Sequence, residues 1–296
     1  MKILLLSLCL LTAVSLAQDG ERGRAENVAV LEDKRINESS GLCQSLRDLK
    51  VFWTLNDSAN DPCLYAFDQD GKTRAKVRVP HAVNFDWEDM ATVMGTDDKP
   101  LLYIADIGDN LKIRASIQIY QIQEPELPTA AGNEINSAEP KVWHFSYPDG
   151  HHNAETLLVH PQTQRLYILT KSEDGLSALY ACPEILLEHE PMELEKITDI
   201  SFPPRQRLGK RPHDACMTVG GSFSPDGSRA VIATYSFIHE WQIAPGQSLK
   251  EALAKEAHLI NPPLTRQMEA VCYDADGQTL WLTSEHLPTP LIRISR

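Results

Sequence analysis

One short phrase recurs five times along this chain: an acidic or hydroxyl residue, a brief apolar run, then a tight turn. The copies start at Ser40 (Ser-Gly-Leu-Cys), Glu88 (Glu-Asp-Met-Ala-Thr-Val), Glu155 (Glu-Thr-Leu-Leu-Val), Thr218–Val219 and Glu269 (Glu-Ala-Val-Cys-Tyr), at intervals of roughly 50–65 residues. Repeats of that length with β-type patterning imply sheets stacked around an axis, because one such unit cannot bury its own apolar faces. The repetition therefore constrains the fold more than any single motif does.

Each copy continues alike. Second runs at 51–55, 101–105, 165–169, 230–234 and 279–283 are β-branched and aromatic, and apolar on both faces, as sheets packed face to face require. Third runs follow at 64–67, 117–120, 178–181, 238–241 and 291–294, and Asp-Gly turns at 70–71, 226–227 and 276–277 separate the strands. Outer strands are expected at 76–80, 141–147, 194–202 and 257–261. The last copy ends without one, and the segment 27–32 (Asn-Val-Ala-Val-Leu-Glu) precedes the first copy without a sheet of its own. Placing it in the last blade closes the ring and removes an exposed edge. The expected fold is all-β: a single β-propeller of five four-stranded blades. A sixth blade, the alternative, would have to come from 124–140, whose Pro, Ala, Gly and Glu content reads as a loop. A short helix is expected at 249–256.

Residues 1–17 read as a signal peptide, with Met1-Lys2, an apolar run over 3–13 and small residues before Gln18. The expected product is a secreted or periplasmic propeller domain over 18–296, without a membrane span. A formal net charge of −13 argues against nucleic acid as a partner. It suits a protein whose acids gather around a cation. Of six cysteines, Cys9 falls in the leader; the remaining five admit a disulfide in an exported protein or serve as buried apolar side chains.

In a propeller, inner strands start on one face, and the ends of second strands return to it. Glu88, Glu155 and Glu269 are thereby expected around one channel. Like charges at close range raise one another's pKa or recruit a cation. Calcium suits such oxygen ligands, with Ser40 and Thr218 as neutral donors. The competing account is that each carboxylate binds backbone N–H groups of the next blade and staples the ring. On the same rim stand Asp57, Asp106, Asp109, Lys171, Glu285 and His152, as candidate acid–base groups or extra ligands. Arg114 and the basic connection Arg205, Arg207, Lys210 and Arg211 are candidate anion contacts.

The segments Asn56-Asp-Ser58, Trp87-Glu-Asp-Met90, Asp106-Ile-Gly-Asp-Asn110, Asn153-Ala-Glu155 and Ser224-Pro-Asp-Gly227 resemble those of exported bacterial β-propellers labelled phytase-like or esterase-like. A more distant resemblance is to the five-bladed calcium-activated nucleotidases (apyrases), whose inner strands begin Ser, Glu, Glu, Ser, Glu. On that resemblance Ser40, Glu88, Glu155 and Glu269 match the first, second, third and fifth positions, and the fourth is left between Thr218, Val219 and Ser222. The resemblance implies a central calcium.

Two functions follow. One is a calcium-dependent hydrolase of a phosphoester or another small anionic molecule. The other is a non-catalytic module, its ion structural, binding an extracellular peptide, glycan or protein partner on the same face. A glycosidase would need two or three carboxylates, which the rim supplies, and aromatic platforms, which are not evident there. A monomer is expected.

Overall fold

The computed structural model describes residues 24–130 and 132–295; the expected signal peptide at 1–17 lies outside them. The described residues form five antiparallel blades in a ring. Their inner strands are Ser39–Gln44, Trp87–Met94, Ala154–Val159, Thr218–Phe223 and Gln267–Tyr273. Second strands run Val51–Asn56, Pro100–Asp106, Leu166–Thr170, Arg229–Thr234 and Leu280–Glu285. Third strands run Cys63–Asp68, Ile117–Gln123, Leu176–Ala181, Ile238–Gln242 and Pro290–Ser295.

The outer positions of blades one to four hold Thr73–Arg78, Lys141–Ser146, Glu195–Ser201 and His258–Ile260. Blade five takes its outer strand from the other end of the chain: Arg24–Val30 pairs antiparallel with Pro290–Ser295, Arg24 opposite Ser295. Ring closure thus follows from an unpaired N-terminal strand meeting an unpaired C-terminal edge.

Five apolar layers separate the five blades. Phe52, Phe67 and Trp281 fill the layer between blades five and one; Trp53, Trp87 and Leu102 fill the next. Tyr103, Trp143 and Tyr180 lie between blades two and three, and Leu169, Phe202 and Trp241 between three and four. Val231, Val271 and Leu280 complete the ring. Both faces of each second strand meet such a layer, which is why those runs are apolar throughout.

The 124–140 segment departs from expectation. It is not a sixth blade, yet it is not all loop: Asn133–Asn136 adds a short parallel strand outside Thr73–Arg78. Pro191–Glu193 does the same beside Lys141–Ser146. Both cover outer edges. The helix is shorter than expected, Leu249–Leu253, capped by Ser248, whose Oγ accepts the Glu251 N–H. Cys43, Cys63, Cys182, Cys216 and Cys272 are free thiols, all buried, so the apolar role of cysteine applies.

Candidate metal centre at the channel mouth

Every inner strand carries a register irregularity near its start. Pairing skips a residue between Trp87 and Asp89, Ala154 and Thr156, Thr218 and Gly220, and Met268 and Ala270, and two residues between Ser39 and Leu42. The skipped residues are Glu88, Glu155, Val219 and Glu269, with Ser40 in the first blade. A bulge leaves its residue outside the ladder and re-aims the side chain. Here it brings Glu88, Glu155 and Glu269 into one acidic cluster, whereas Val219 packs in the apolar layer between blades four and five. The same alignment places Val219, not Thr218, opposite the glutamates. Thr218 Oγ1 instead donates to the Thr170 carbonyl at 3.1 Å.

Glu88, Glu155 and Glu269 are all buried and act on one another electrostatically. Burial and the neighbouring carboxylates push each above the usual carboxylate range, although Lys171 opposes this. Ser40 Oγ lies 3.5 Å from Glu88 Oε2. Asp57 and Asp86 come in from blade one's second strand end and from the connection between blades one and two. Asp57, Asp86 and Glu88 each present an oxygen, all within 4.8 Å of one another. Burial, then Asp57 and Glu155, raises Asp86 to about 7.

The sequence around this group is built for close approach. A Cβ at position 108 would meet the carboxylate oxygens of Glu88 and Asp86, so any larger residue there requires those carboxylates to shift. The Gly108 N–H bonds the Asp86 carbonyl at 3.1 Å.

Lys171 is a buried cation within the cluster. Its Nζ donates to Glu155 Oε1 at 2.7 Å and to the Tyr235 hydroxyl at 2.6 Å, and lies 4.7 Å from the Tyr235 ring. Glu155 and Glu269 hold the ammonium charged despite its burial. Gln267 Nε2 bridges Glu269 Oε1 at 2.6 Å and Glu285 Oε2 at 2.7 Å. Glu285 is raised to about 7 by burial, Asp57 and Glu38. Glu269 Oε2 is buried without a hydrogen-bond partner among the described residues. An orphaned carboxylate oxygen in a cluster this acidic fits a cation.

Other expected site residues serve the walls. Asp106 is buried, pairs with Arg114 at 2.8 Å and accepts the Asp86 N–H at 3.2 Å. Asp109 accepts the Arg114 N–H at 2.7 Å, and its own N–H donates to Asn153 Oδ1 at 2.7 Å. Arg114 also donates to the Gly108 carbonyl at 2.7 Å, so its guanidinium braces the acidic turn. His152 points into a separate group, 2.9 Å from Asp149 and 3.1 Å from the Tyr180 hydroxyl.

In the basic connection Lys210 acts on Glu269 of the cluster, while the guanidinium groups are engaged elsewhere. Arg207 donates to the Ser236 and Pro262 carbonyls, Lys210 to the Arg266 carbonyl at 3.1 Å, and Arg211 pairs with Asp214 at 3.0 Å. Arg205 lines an outer cleft with His239, Trp241 and Lys255. A loop's charge is visible in sequence; the carbonyls that use it are not.

Sequence reasoning singled out Glu88 but passed over Asp89, its buried neighbour. Asp89 accepts N–H groups from Met90 at 2.8 Å, Leu157 at 2.9 Å and Gly221 at 3.3 Å. It ties three inner strands together below the acidic mouth. Asp86 lies in the bend that leads into Trp87–Met94, an acid of the connection between blades one and two.

No protein-family model matches the chain, and no curated protein matches it. Solved structures with a similar fold include a glucose dehydrogenase (TM-score 0.50, 10% identity, 92% of this chain and 99% of that one). Others are the WD40 repeats of RRP9 (0.45, 11%, 92% and 100%) and the hydrazine synthase of Kuenenia stuttgartiensis (0.43, 10%, 87% and 71%). Identity this low speaks to fold alone.

Proposed function

We propose that this propeller holds calcium at its channel mouth and hydrolyses a phosphoester or a similar small anionic molecule there. One observation carries the proposal: Asp57, Asp86 and Glu88 converge within 4.8 Å, with Glu155, Glu269 and Glu285 close by and one ammonium among them. All three converging donors are carboxylates, with no imidazole or thiolate, which favours a hard cation over zinc or copper. Asp57, Asp86 and Glu88 would hold the ion, with Ser40 as a neutral donor.

Bound there, calcium would supply a Lewis acid for an anionic oxygen and a lower pKa for a water. The chain's own residues set up the rest. Glu285, raised to about 7 and oriented by Gln267, is matched to proton abstraction near neutral pH. Lys171 opposes the upward shift of Glu155 and holds its carboxylate in place. Asn153 Nδ2 bonds Glu155 Oε1 at 3.3 Å and Asn110 Oδ1 at 3.1 Å, tying the acidic loop to the cluster.

A panel of phosphomonoesters, phosphodiesters and carboxylic esters, assayed in calcium and in chelator, tests this. Turnover that needs calcium and falls at least about 100-fold in Glu285→Gln is expected from loss of a general base. Absence of calcium-dependent turnover across the panel refutes the hydrolase.

A further inference from the structure

Three large apolar side chains stand in solvent on the two segments that carry Asp86 and Gly108 to the carboxylate cluster. Phe85, 58% exposed, immediately precedes Asp86; Leu111 (78%) and Ile113 (70%) flank the tip of the loop that carries Gly108. Scattered exposed apolar residues are ordinary, but a group of them adjoining a site marks a contact surface.

This loop is also tightly braced. Lys112 at its tip has φ +54°, and its N–H bonds the Asp109 carbonyl at 2.9 Å. Arg114 pairs with Asp106 at 2.8 Å, donates to the Gly108 carbonyl at 2.7 Å and stands 5.7 Å from the Phe85 ring centre. Leu111 and Ile113 are therefore presented on a fixed frame, and a ligand that covers them orders little backbone. Asn110 and Lys112 of the same loop line a cavity of about 440 Å³ with Asn153, Lys171, Ser172 and Met217. Asp174, which also lines it, accepts from Ser172 Oγ at 2.5 Å and from the Leu176 N–H at 2.9 Å.

We infer that the substrate is amphiphilic: an anionic head at the cluster, and an alkyl or aryl group laid across Phe85, Leu111 and Ile113. This rests on the metal-dependent reading above. It adds that the apolar group is recognised by named side chains.

The test is calorimetric titration with methyl-, butyl- and octylphosphonate, which cannot be hydrolysed, in calcium and in chelator. A fully buried methylene is worth about fourfold in affinity. On a half-open surface, octylphosphonate should bind at least about tenfold tighter than methylphosphonate in calcium. The double variant Leu111→Ser/Ile113→Ser should lose most of that gain, leaving methylphosphonate affinity and melting temperature unchanged. Equal affinity for all three chains in calcium overturns the amphiphile while sparing the anion site. Chain-length dependence that survives the double variant overturns the named surface. Failure of every phosphonate to bind the calcium-loaded protein, or failure of calcium to bind, overturns this inference and the hydrolase together.

Discussion

Replacing Lys171 by Met isolates the electrostatics of the channel mouth. The substitution keeps an apolar stem of similar length and removes only the ammonium, which sits 2.7 Å from Glu155 Oε1 and 2.6 Å from the Tyr235 hydroxyl. Both partners of the ion pair are enclosed, at 15% and 5% side-chain exposure, so solvent does little to screen what remains. Removing one member of a buried pair costs about 3–5 kcal/mol, because the other charge is left uncompensated. A domain of this size shifts by about 2–4 °C per kcal/mol, which gives a fall of roughly 6–20 °C in melting temperature. Glu155 has an escape, since burial already raises its pKa and loss of Lys171 raises it further. Protonation then relieves the charge, so the fall should be largest near pH 8 and smaller near pH 5. Calcium supplies a cation to the same cluster and should reduce the loss relative to chelator. Differential scanning fluorimetry at both pH values, with and without calcium, reads all of this. A Lys171→Met protein that melts within about 2 °C of the parent in chelator at pH 8 would refute the picture of a dry, charge-balanced mouth.

Three further outcomes follow from the same geometry. Asp86 and Glu285 have pKa values raised to about 7 in the fold, so metal-free protein is favoured by their protonated forms and loses that stability as pH rises from about 4 through 7. Calcium held by Asp86 needs that carboxylate deprotonated, so the calcium-minus-chelator difference in melting temperature should be near zero at pH 5 and large at pH 8; a pH-independent difference would count against Asp86 as a ligand. Gly108→Ala forces Glu88 and Asp86 apart, and calorimetry should show calcium affinity reduced about 10–100-fold, the range typical when groups that orient ligands are disturbed; unchanged affinity would contradict the close approach. Asp89→Asn replaces an acceptor of three backbone N–H groups by a side chain that is half donor, and should cost about 1–3 kcal/mol in urea unfolding, whereas an unaffected midpoint would mean that the three strands are held by other contacts.

Much of the architecture was readable before any coordinates, and the reasons are local. The run 101–105 is apolar on both faces, so it had to lie inside a stack; the orphan strand near residue 27 and the missing fourth strand of the last copy fit only each other. Glu88, Glu155 and Glu269 were legible because a repeat fixes equivalent positions in successive blades. The fourth position was not legible. Gly220 and Gly221 leave the register of Thr218–Phe223 open in sequence, and only pairing of Thr218 with Thr234 shows that Val219 takes the bulge. The basic connection is a different case. Arg207 looked available for an anion because the Ser236 and Pro262 carbonyls that engage it lie far along the chain. Asp89 stayed hidden because its partners, Leu157 and Gly221, belong to other blades.

The central claim is that carboxylates from two neighbouring blades and the connection between them share one cation. Isothermal titration of metal-free protein with calcium at pH 8 tests it most directly, alongside the double variant Asp57→Asn/Glu88→Gln. One calcium per chain, with binding abolished in the double variant, is the predicted result. No saturable binding, or equal binding by parent and variant, would contradict it.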